Sequence, residues 1–150
     1  MRTFFLLGLV ISLSSCASLV LKPVEYAWPV ERVLELDGKG MVHDDRYMLS
    51  ANMKPLFYEE TQDSVNLYGQ SVRIIRDVQG YYYITAKGFR NVYIFEESEG
   101  ALSLSTKVTV AERPMKEPAF NQRPPNIQLL NGDEKPKMLS SDGIVEGGQK

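Results

Sequence analysis

Cysteine and histidine are nearly missing from this chain of 150 residues, which contains one of each. A single cysteine cannot form a disulfide within the chain, and a zinc site built from several cysteines or histidines is excluded. A Ser-His-Asp triad would have to use His43, and no Gly-x-Ser-x-Gly elbow is present to carry its serine. We therefore predict that the protein is not an enzyme and that it uses no cofactor.

An excess of basic charge is also missing. The chain has 17 lysines and arginines against 19 aspartates and glutamates, which gives a formal net charge of −2. The charges are interspersed, and no basic block could follow a line of phosphate groups. Nucleic acid is therefore excluded as a partner.

Long apolar runs are confined to the start of the chain. Arg2 precedes an apolar stretch from Phe4 to Leu13, and small residues follow it. A short positive region, an apolar core of roughly 7–15 residues and a small-residue cleavage site are the features of a signal peptide. The sequence therefore predicts that residues 1–15 are a signal peptide.

The end of this run, Leu13-Ser14-Ser15-Cys16, resembles the lipobox of bacterial lipoproteins. The resemblance implies that the Cys16 thiol receives a diacylglycerol and that residues 1–15 are removed. The new amino terminus is then acylated as well, so that fatty acids such as palmitate hold the protein on a membrane. Residues 16–23 become the lipidated cysteine and a short tether.

Two alternatives to this anchor remain open. The segment from Phe4 to Leu21 is uncharged, and about 18 apolar residues is the lower limit for a membrane-spanning helix. Four serines interrupt it, which favours cleavage over an uncleaved anchor, and a soluble secreted form is the third possibility. Ala17 and Ser18 lack the aspartate that keeps lipoproteins at an inner membrane. In a cell with two membranes we expect the periplasmic face of the outer membrane, and otherwise the outer surface of the plasma membrane.

Residues 24–112 have the pattern of β-strands almost throughout. Glycine-containing turns separate short apolar segments, and the alternation from Leu102 to Val110 has a period of two. The turn Asp37-Gly38-Lys39-Gly40 suits a tight hairpin. We predict an all-β domain, a small barrel or sandwich of five to seven short strands. The other predicted strand segments are Val33–Leu36, Val72–Ile75, Tyr81–Thr85 and Asn91–Phe95.

Residues 113–150 differ in composition from the domain before them. They contain five prolines and end in glycine-rich and serine-rich sequence. Such composition predicts a disordered, Pro-rich tail. Its two apolar islands, Ile127–Leu130 and Ile144-Val145, are candidates for docking on a partner.

A second resemblance covers residues 69–95. Gly69-Gln70-Ser71-Val72, the aromatic segment Gly80-Tyr81-Tyr82-Tyr83 and the strand after Lys87-Gly88 are similar to the bacterial SH3-like fold. The Asn-x-Arg-x-Gly-Pro opening of that family is absent, and Asn91 stands where its Gly-Trp pair begins. The resemblance implies a module that binds peptides or peptidoglycan and seldom catalyses.

Three consecutive tyrosines provide the candidate binding site. In a strand Tyr81 and Tyr83 share one face, while Tyr82 takes the other. Tyr81, Tyr83 and Tyr93 could line a groove for a peptide, a Pro-rich segment or a sugar, although tyrosines also suit half-buried strands without any binding role.

Polar residues next to His43 give only a weak alternative. His43-Asp44-Asp45-Arg46 could in principle bind a cation or act as an acid–base pair, but consecutive strand residues point to opposite faces. The sequence thus favours a lipid-anchored, non-catalytic structural or assembly component of the cell envelope that binds a protein partner. An SH3-like module for peptidoglycan or peptides is the alternative, and a small periplasmic hydrolase is the third.

Overall fold

The computed structural model describes residues 30–44 and 49–146. The predicted signal peptide, Cys16 and the tether lie outside this range. The described elements, in chain order, are β1 (Arg32–Glu35), β2 (Met41–Asp44), β3 (Leu49–Asn52), α1 (Lys54–Thr61), β4 (Ser71–Arg76), β5 (Tyr82–Ala86), β6 (Asn91–Ser98), β7 (Ala101–Thr109), β8 (Pro118–Arg123), β9 (Asn126–Asn131), β10 (Lys137–Ser140) and β11 (Gly143–Ile144).

The central element is a five-stranded antiparallel sheet in the order β1-β4-β5-β6-β7. Its strands confirm the segments predicted from alternating hydrophobicity, and seven strands fall within residues 24–112. The turn between β6 and β7 consists of Glu99 and Gly100, whose φ angles are 52° and 77°. Two residues with positive φ match the twist of the flanking strands, and β6 and β7 pair up to this turn, with Ser98 opposite Ala101.

The hairpin predicted at residues 37–40 forms only in part. The turn is present, because the Asp37 backbone N–H donates to the Met41 carbonyl at 2.9 Å and the Asp37 side chain accepts from Lys39 and Met41. The strands on either side do not pair, however, since β1 pairs with β4 and β2 pairs with β3. The turn therefore leads the chain out of the five-stranded sheet and into a separate two-stranded one.

Helix α1 lies on one face of the five-stranded sheet. Asn52 Oδ1 accepts the Lys54 N–H at 3.0 Å at its start, and Gln62 ends it in the left-handed conformation. Phe57 packs edge-on against Phe89, with ring centroids 4.9 Å apart. A helix of eight residues gives too short a periodic pattern to be recognised from sequence.

The carboxylate of Glu60 fixes the end of this helix to the sheet. It accepts hydrogen bonds from the Arg90 backbone N–H at 2.8 Å, the Asn91 amide at 2.7 Å and the Tyr93 hydroxyl at 3.0 Å. Three donors on one carboxylate determine both the position and the angle at which the helix docks.

The prediction of a disordered tail is wrong for residues 113–146. They form a second antiparallel sheet in the order β11-β10-β9-β8. Its apolar side chains are buried, and Ile127 and Leu139 have no exposed surface. The predicted docking island Ile127–Leu130 is the middle of β9. Residues 147–150 lie outside the described range.

The prolines of this segment mark turns and strand ends. Pro118 is the first residue of β8, which is an edge strand, and Pro124-Pro125 forms the two-residue turn between β8 and β9. Proline is tolerated at these positions because no ladder hydrogen bond has to be donated there. A proline-rich composition of this kind is therefore compatible with a sheet whose strands are joined by very short turns, as well as with disorder.

The second sheet covers the face of the first that is opposite to α1. Gln122 Nε2 donates to the Arg76 carbonyl, and Glu31 accepts hydrogen bonds from both Arg73 and the Phe120 backbone. The register places Ile75, Tyr83 and Ile94 on this face, and all three are buried. The all-β prediction is confirmed, and the sheets of the described residues are open and packed face to face, as in a sandwich. No described helix is long and apolar enough to cross a membrane.

Candidate functional site

A groove lies on the α1 face of the five-stranded sheet, beside the helix. Its floor contains Tyr82 and Ile84 from β5 and Phe95 from β6. Tyr82 is directly opposite Phe95 in the register, so the two rings are neighbours on the same face. Ile84 is buried, whereas Tyr82 and Phe95 are only partly covered. The floor is therefore an apolar surface that the fold leaves incompletely covered.

Two separate parts of the chain form the walls of this groove. All four residues of β3, Leu49–Asn52, line one side together with Met53 and Leu56. Gly100, Ala101 and Leu102, at the turn into β7, line the other side. The volume of the groove is about 500 Å³. This lies within the range of roughly 300–1,000 Å³ that is typical of ligand sites.

Strand β3 is held over the sheet through its partner β2. Asp44 on β2 is buried, and its carboxylate forms an ion pair with Arg32 Nε on β1 at 3.0 Å. Val42, which is opposite Ala51 in the β2–β3 register, has no exposed surface. Because β2 is fastened against β1, β3 lies on the side toward β5 and β6, where the groove opens.

The rim of the groove carries negative charge. Glu97 belongs to its lining, and Glu96 and Glu99 line a neighbouring depression together with Arg76. The Arg76 guanidinium lies 5.3 Å from the centre of the Tyr82 ring, within reach of a cation–π contact. Burial raises the pKa of Tyr82, so its hydroxyl stays neutral at physiological pH.

The tyrosines predicted to form a binding platform do not form an exposed surface. Tyr83 is fully buried, and its hydroxyl donates to Asp77 Oδ2 at 2.9 Å. Tyr93 is fully buried on the opposite face of the sheet, where it donates to Glu60. Burial raises the pKa of both hydroxyls far above the ordinary value for tyrosine. Tyr81 is partly buried and lies beside Gly80 and Arg76 in the neighbouring depression.

Asp77 explains why Tyr83 is a structural residue. Its Oδ1 accepts the backbone N–H groups of Gln79 at 2.8 Å and Tyr81 at 3.0 Å, and its Oδ2 accepts the Tyr83 hydroxyl. One buried carboxylate therefore shapes the turn between β4 and β5 and satisfies the tyrosine hydroxyl inside the core.

The other sequence candidates are not brought together. His43 is exposed and hydrogen-bonds the Ser50 hydroxyl across the β2–β3 pair at 3.2 Å, whereas Asp44 points inward to Arg32. Asp45 and Arg46 lie outside the described residues, as does Cys16. Within residues 30–44 and 49–146, no group of three or more histidine, cysteine or acidic side chains could hold a metal ion.

Comparisons with known proteins give no relative on which to base a function. No protein-family model, curated protein or solved structure matches the chain. The residues of the groove are therefore the basis for any assignment.

Sequence reasoning missed the floor of the groove. The alternation of the tyrosine run separates Tyr82 from its two neighbours, but alternation alone does not say which face is covered. The second sheet, which the composition of residues 113–150 did not predict, covers the face of the first sheet that carries Tyr83. Tyr82, on the other face, is partly exposed beside residues of β3 and α1.

Proposed function

We propose that this protein is a lipid-anchored, non-catalytic component of the cell envelope that holds a protein partner in the groove between β3 and β7. The partly covered apolar surface formed by the floor residues Tyr82 and Phe95 and the wall residue Leu102 is the observation that carries this proposal. Partly exposed apolar surface with a polar rim is characteristic of binding sites.

The composition of the groove supports binding over chemistry. Its lining is apolar or uncharged except for Glu97. One exposed carboxylate beside two aromatic rings supplies hydrogen bonding and charge for recognition. Neither His43 nor a second carboxylate lines the groove, so its described residues offer no carboxylate pair of the kind that glycosidases use.

The lipobox supports the location. Cys16 precedes Val30, the first described residue, by 14 positions. Even a fully extended tether of that length spans at most about 50 Å, so an acylated Cys16 keeps the domain close to a membrane. Ala17 and Ser18 favour the periplasmic face of the outer membrane if the cell has two membranes.

The anchor is tested by growing cells with a labelled fatty acid and fractionating their membranes. The wild-type protein is expected to carry the label in the membrane fraction, and Cys16→Ser is expected to lose both. Equal labelling of the two proteins would show that Cys16 is not the acceptor.

The partner function is tested with a pair of substitutions at exposed or half-exposed apolar residues. Leu102 lines the groove, whereas Val33 on β1 is 51% exposed and lies on the other face of the sheet, opposite Arg73 in the register. Leu102→Glu is expected to release envelope proteins that co-purify with the acylated protein, and Val33→Glu is expected to retain them. Equal retention with both variants would contradict a partner in this groove.

A further inference from the structure

The backbone of β3 has one free hydrogen-bonding edge in the described structure. Among the described residues, β3 pairs only with β2. The Met53 N–H donates to the Gly40 carbonyl at 2.9 Å. Because hydrogen-bonded and non-hydrogen-bonded residue pairs alternate along two antiparallel strands, this bond determines which residues of β3 bond to β2. Ala51 and Leu49 then bond to β2, while the backbone N–H and C=O groups of Ser50 and Asn52 point the other way.

The hydrogen bonds on the other side of β2 confirm this alternation of bonded and non-bonded pairs. Met41 is opposite Asn52 in the register, and both its N–H and its carbonyl bond to Asp37 in the preceding turn. Met41 thus directs its backbone away from β3, as a residue of a non-hydrogen-bonded pair does. Asn52 and Ser50 must direct theirs away from β2.

This free edge faces the groove. Its opposite side is occupied by β2, which the Arg32–Asp44 ion pair holds against β1. All four residues of β3 line the groove, and the side chains of Leu49 and Ala51 pack on the core below. The groove therefore presents unpaired backbone groups along one wall and apolar side chains on its floor.

We propose that the groove binds an extended peptide segment of the partner, which adds to β3 as a third strand. This inference rests on the proposed function and names the chemistry of its ligand. Backbone bonds to Ser50 and Asn52 would supply affinity. Alternate side chains would point to the floor at Tyr82 and Phe95, beside the wall residue Leu102.

Two features of the site specify the peptide further. Four residues of β3 offer a pairing length of about 13 Å, which matches a segment of roughly four or five residues. The carboxylates of Glu97, Glu96 and Glu99 near the rim favour a basic residue at an end of that segment. The ligand is thus a short strand with alternate apolar residues and a flanking lysine or arginine.

Addition of a strand also completes the layer that covers this face. A two-stranded sheet is marginally stable by itself, and a third strand with an apolar face adds both ladder bonds and burial. The peptide would extend β2–β3 across the part of the floor that α1 leaves open.

The probe for this proposal is the heptapeptide acetyl-Lys-Val-Thr-Leu-Thr-Val-Lys-amide. Its binding to the full-length acylated protein in detergent is measured by calorimetry. One control peptide is N-methylated at the two threonines, which removes the donors for antiparallel pairing with Ser50 and Asn52. A second is N-methylated at Val, Leu and Val, which removes the donors for parallel pairing.

Strand addition predicts that one of the two methylated peptides binds at least about tenfold more weakly than the parent. A peptide with glutamate in place of both lysines is also expected to bind more weakly. Equal binding of the parent and both methylated peptides would overturn the proposal.

Variants of β3 test the same point from the side of the protein. Ser50→Pro removes a backbone N–H that points away from β2 and is expected to weaken binding about tenfold. Ser50→Ala keeps that N–H and is expected to bind as the wild type does. An unchanged circular dichroism spectrum shows that Ser50→Pro is folded. Leu102→Ala against Val33→Ala, at an exposed residue on the other face of the sheet, gives a second comparison that leaves the backbone intact.

The outcomes distinguish this inference from the proposed function. If Leu102→Glu releases the envelope partner but no methylated peptide or Ser50→Pro effect is found, the partner function stands and strand addition is wrong. If Leu102→Glu releases nothing, the partner function itself fails. A dimer of the chain that Leu102→Ala abolishes, or binding of glycan strands in place of the peptide, would also overturn the proposal.

Discussion

Substitution of Leu139 tests whether the second sheet is an integral part of the fold. Leu139 has no exposed surface and is opposite Ile127, which is also fully buried. Truncation of a fully buried leucine to alanine removes its burial and leaves a cavity, which together cost about 2–5 kcal/mol. We expect Leu139→Ala to lower the free energy of unfolding by about 3 kcal/mol, measured by urea denaturation of the acylated protein in detergent.

The neighbouring residue Met138 provides the control. It points to the other side of β10 and is partly exposed, so Met138→Ala is expected to cost less than about 1 kcal/mol. Both variants are expected to unfold in a single transition, because the two sheets share one core. An equal, small effect of the two substitutions, or an early separate transition of residues 113–146, would refute the packing described above.

Further predictions concern the buried polar groups and the tyrosines. Tyr83→Phe leaves the buried Asp77 carboxylate without one of its donors and is expected to cost about 1–3 kcal/mol in the same denaturation assay. Tyr83→Ala is expected to cost about 3–5 kcal/mol, so a loss of ligand binding in that variant would reflect unfolding; a fully stable Tyr83→Ala protein would show that the ring is not in the core. The contribution of the Tyr83 and Tyr93 hydroxyls to the free energy of unfolding is expected to be constant below pH 10. Above pH 10 this contribution is expected to fall as the pH rises. The reason is that unfolded tyrosine ionises near pH 10.0 while the folded chain holds the Tyr83 and Tyr93 protons more tightly. Denaturation at several alkaline pH values checks this, and an unchanged slope in a Tyr83→Phe/Tyr93→Phe double variant would contradict it. Glu60→Gln keeps one acceptor for three donors and is expected to destabilise the protein by about 1–2 kcal/mol, with Glu59→Gln on the helix surface as the milder control.

The strands of the first sheet could be predicted because their sequence alternates and their turns contain glycine. Val72–Ile75, Asn91–Phe95 and the segment from Leu102 onward all correspond to observed strands. Pairing was harder to predict, since a strand pattern does not identify its neighbour. The turn at residues 37–40 therefore suggested a hairpin, although the chain leaves the sheet there.

The second sheet could not be predicted from composition. Proline and glycine are frequent both in disordered chains and in sheets with two-residue turns, so the five prolines did not distinguish the two. The apolar segment Ile127–Leu130, with turn residues on both sides, is the clearer of the two local signals of a strand in this part of the chain.

The candidate site was harder to predict from the sequence than the strands were, because it depends on tertiary structure. Tyr81, Tyr83 and Tyr93 attract attention as aromatic residues, yet two of them are core residues with buried hydroxyl bonds. The groove combines residues from β3, β5, β6 and β7, which are far apart in sequence. Only the fold shows that Tyr82, Phe95 and Leu102 share one open surface.

The most direct test of a partner in the groove is photo-crosslinking in living cells. A photoreactive phenylalanine analogue replaces Leu102 in one strain and the exposed Val33 on β1 in another. We expect position 102 to crosslink to one envelope protein, through a peptide of that protein with alternate apolar residues and a basic flank, and position 33 not to do so. Equal crosslinking at both positions, or none at position 102, would contradict it.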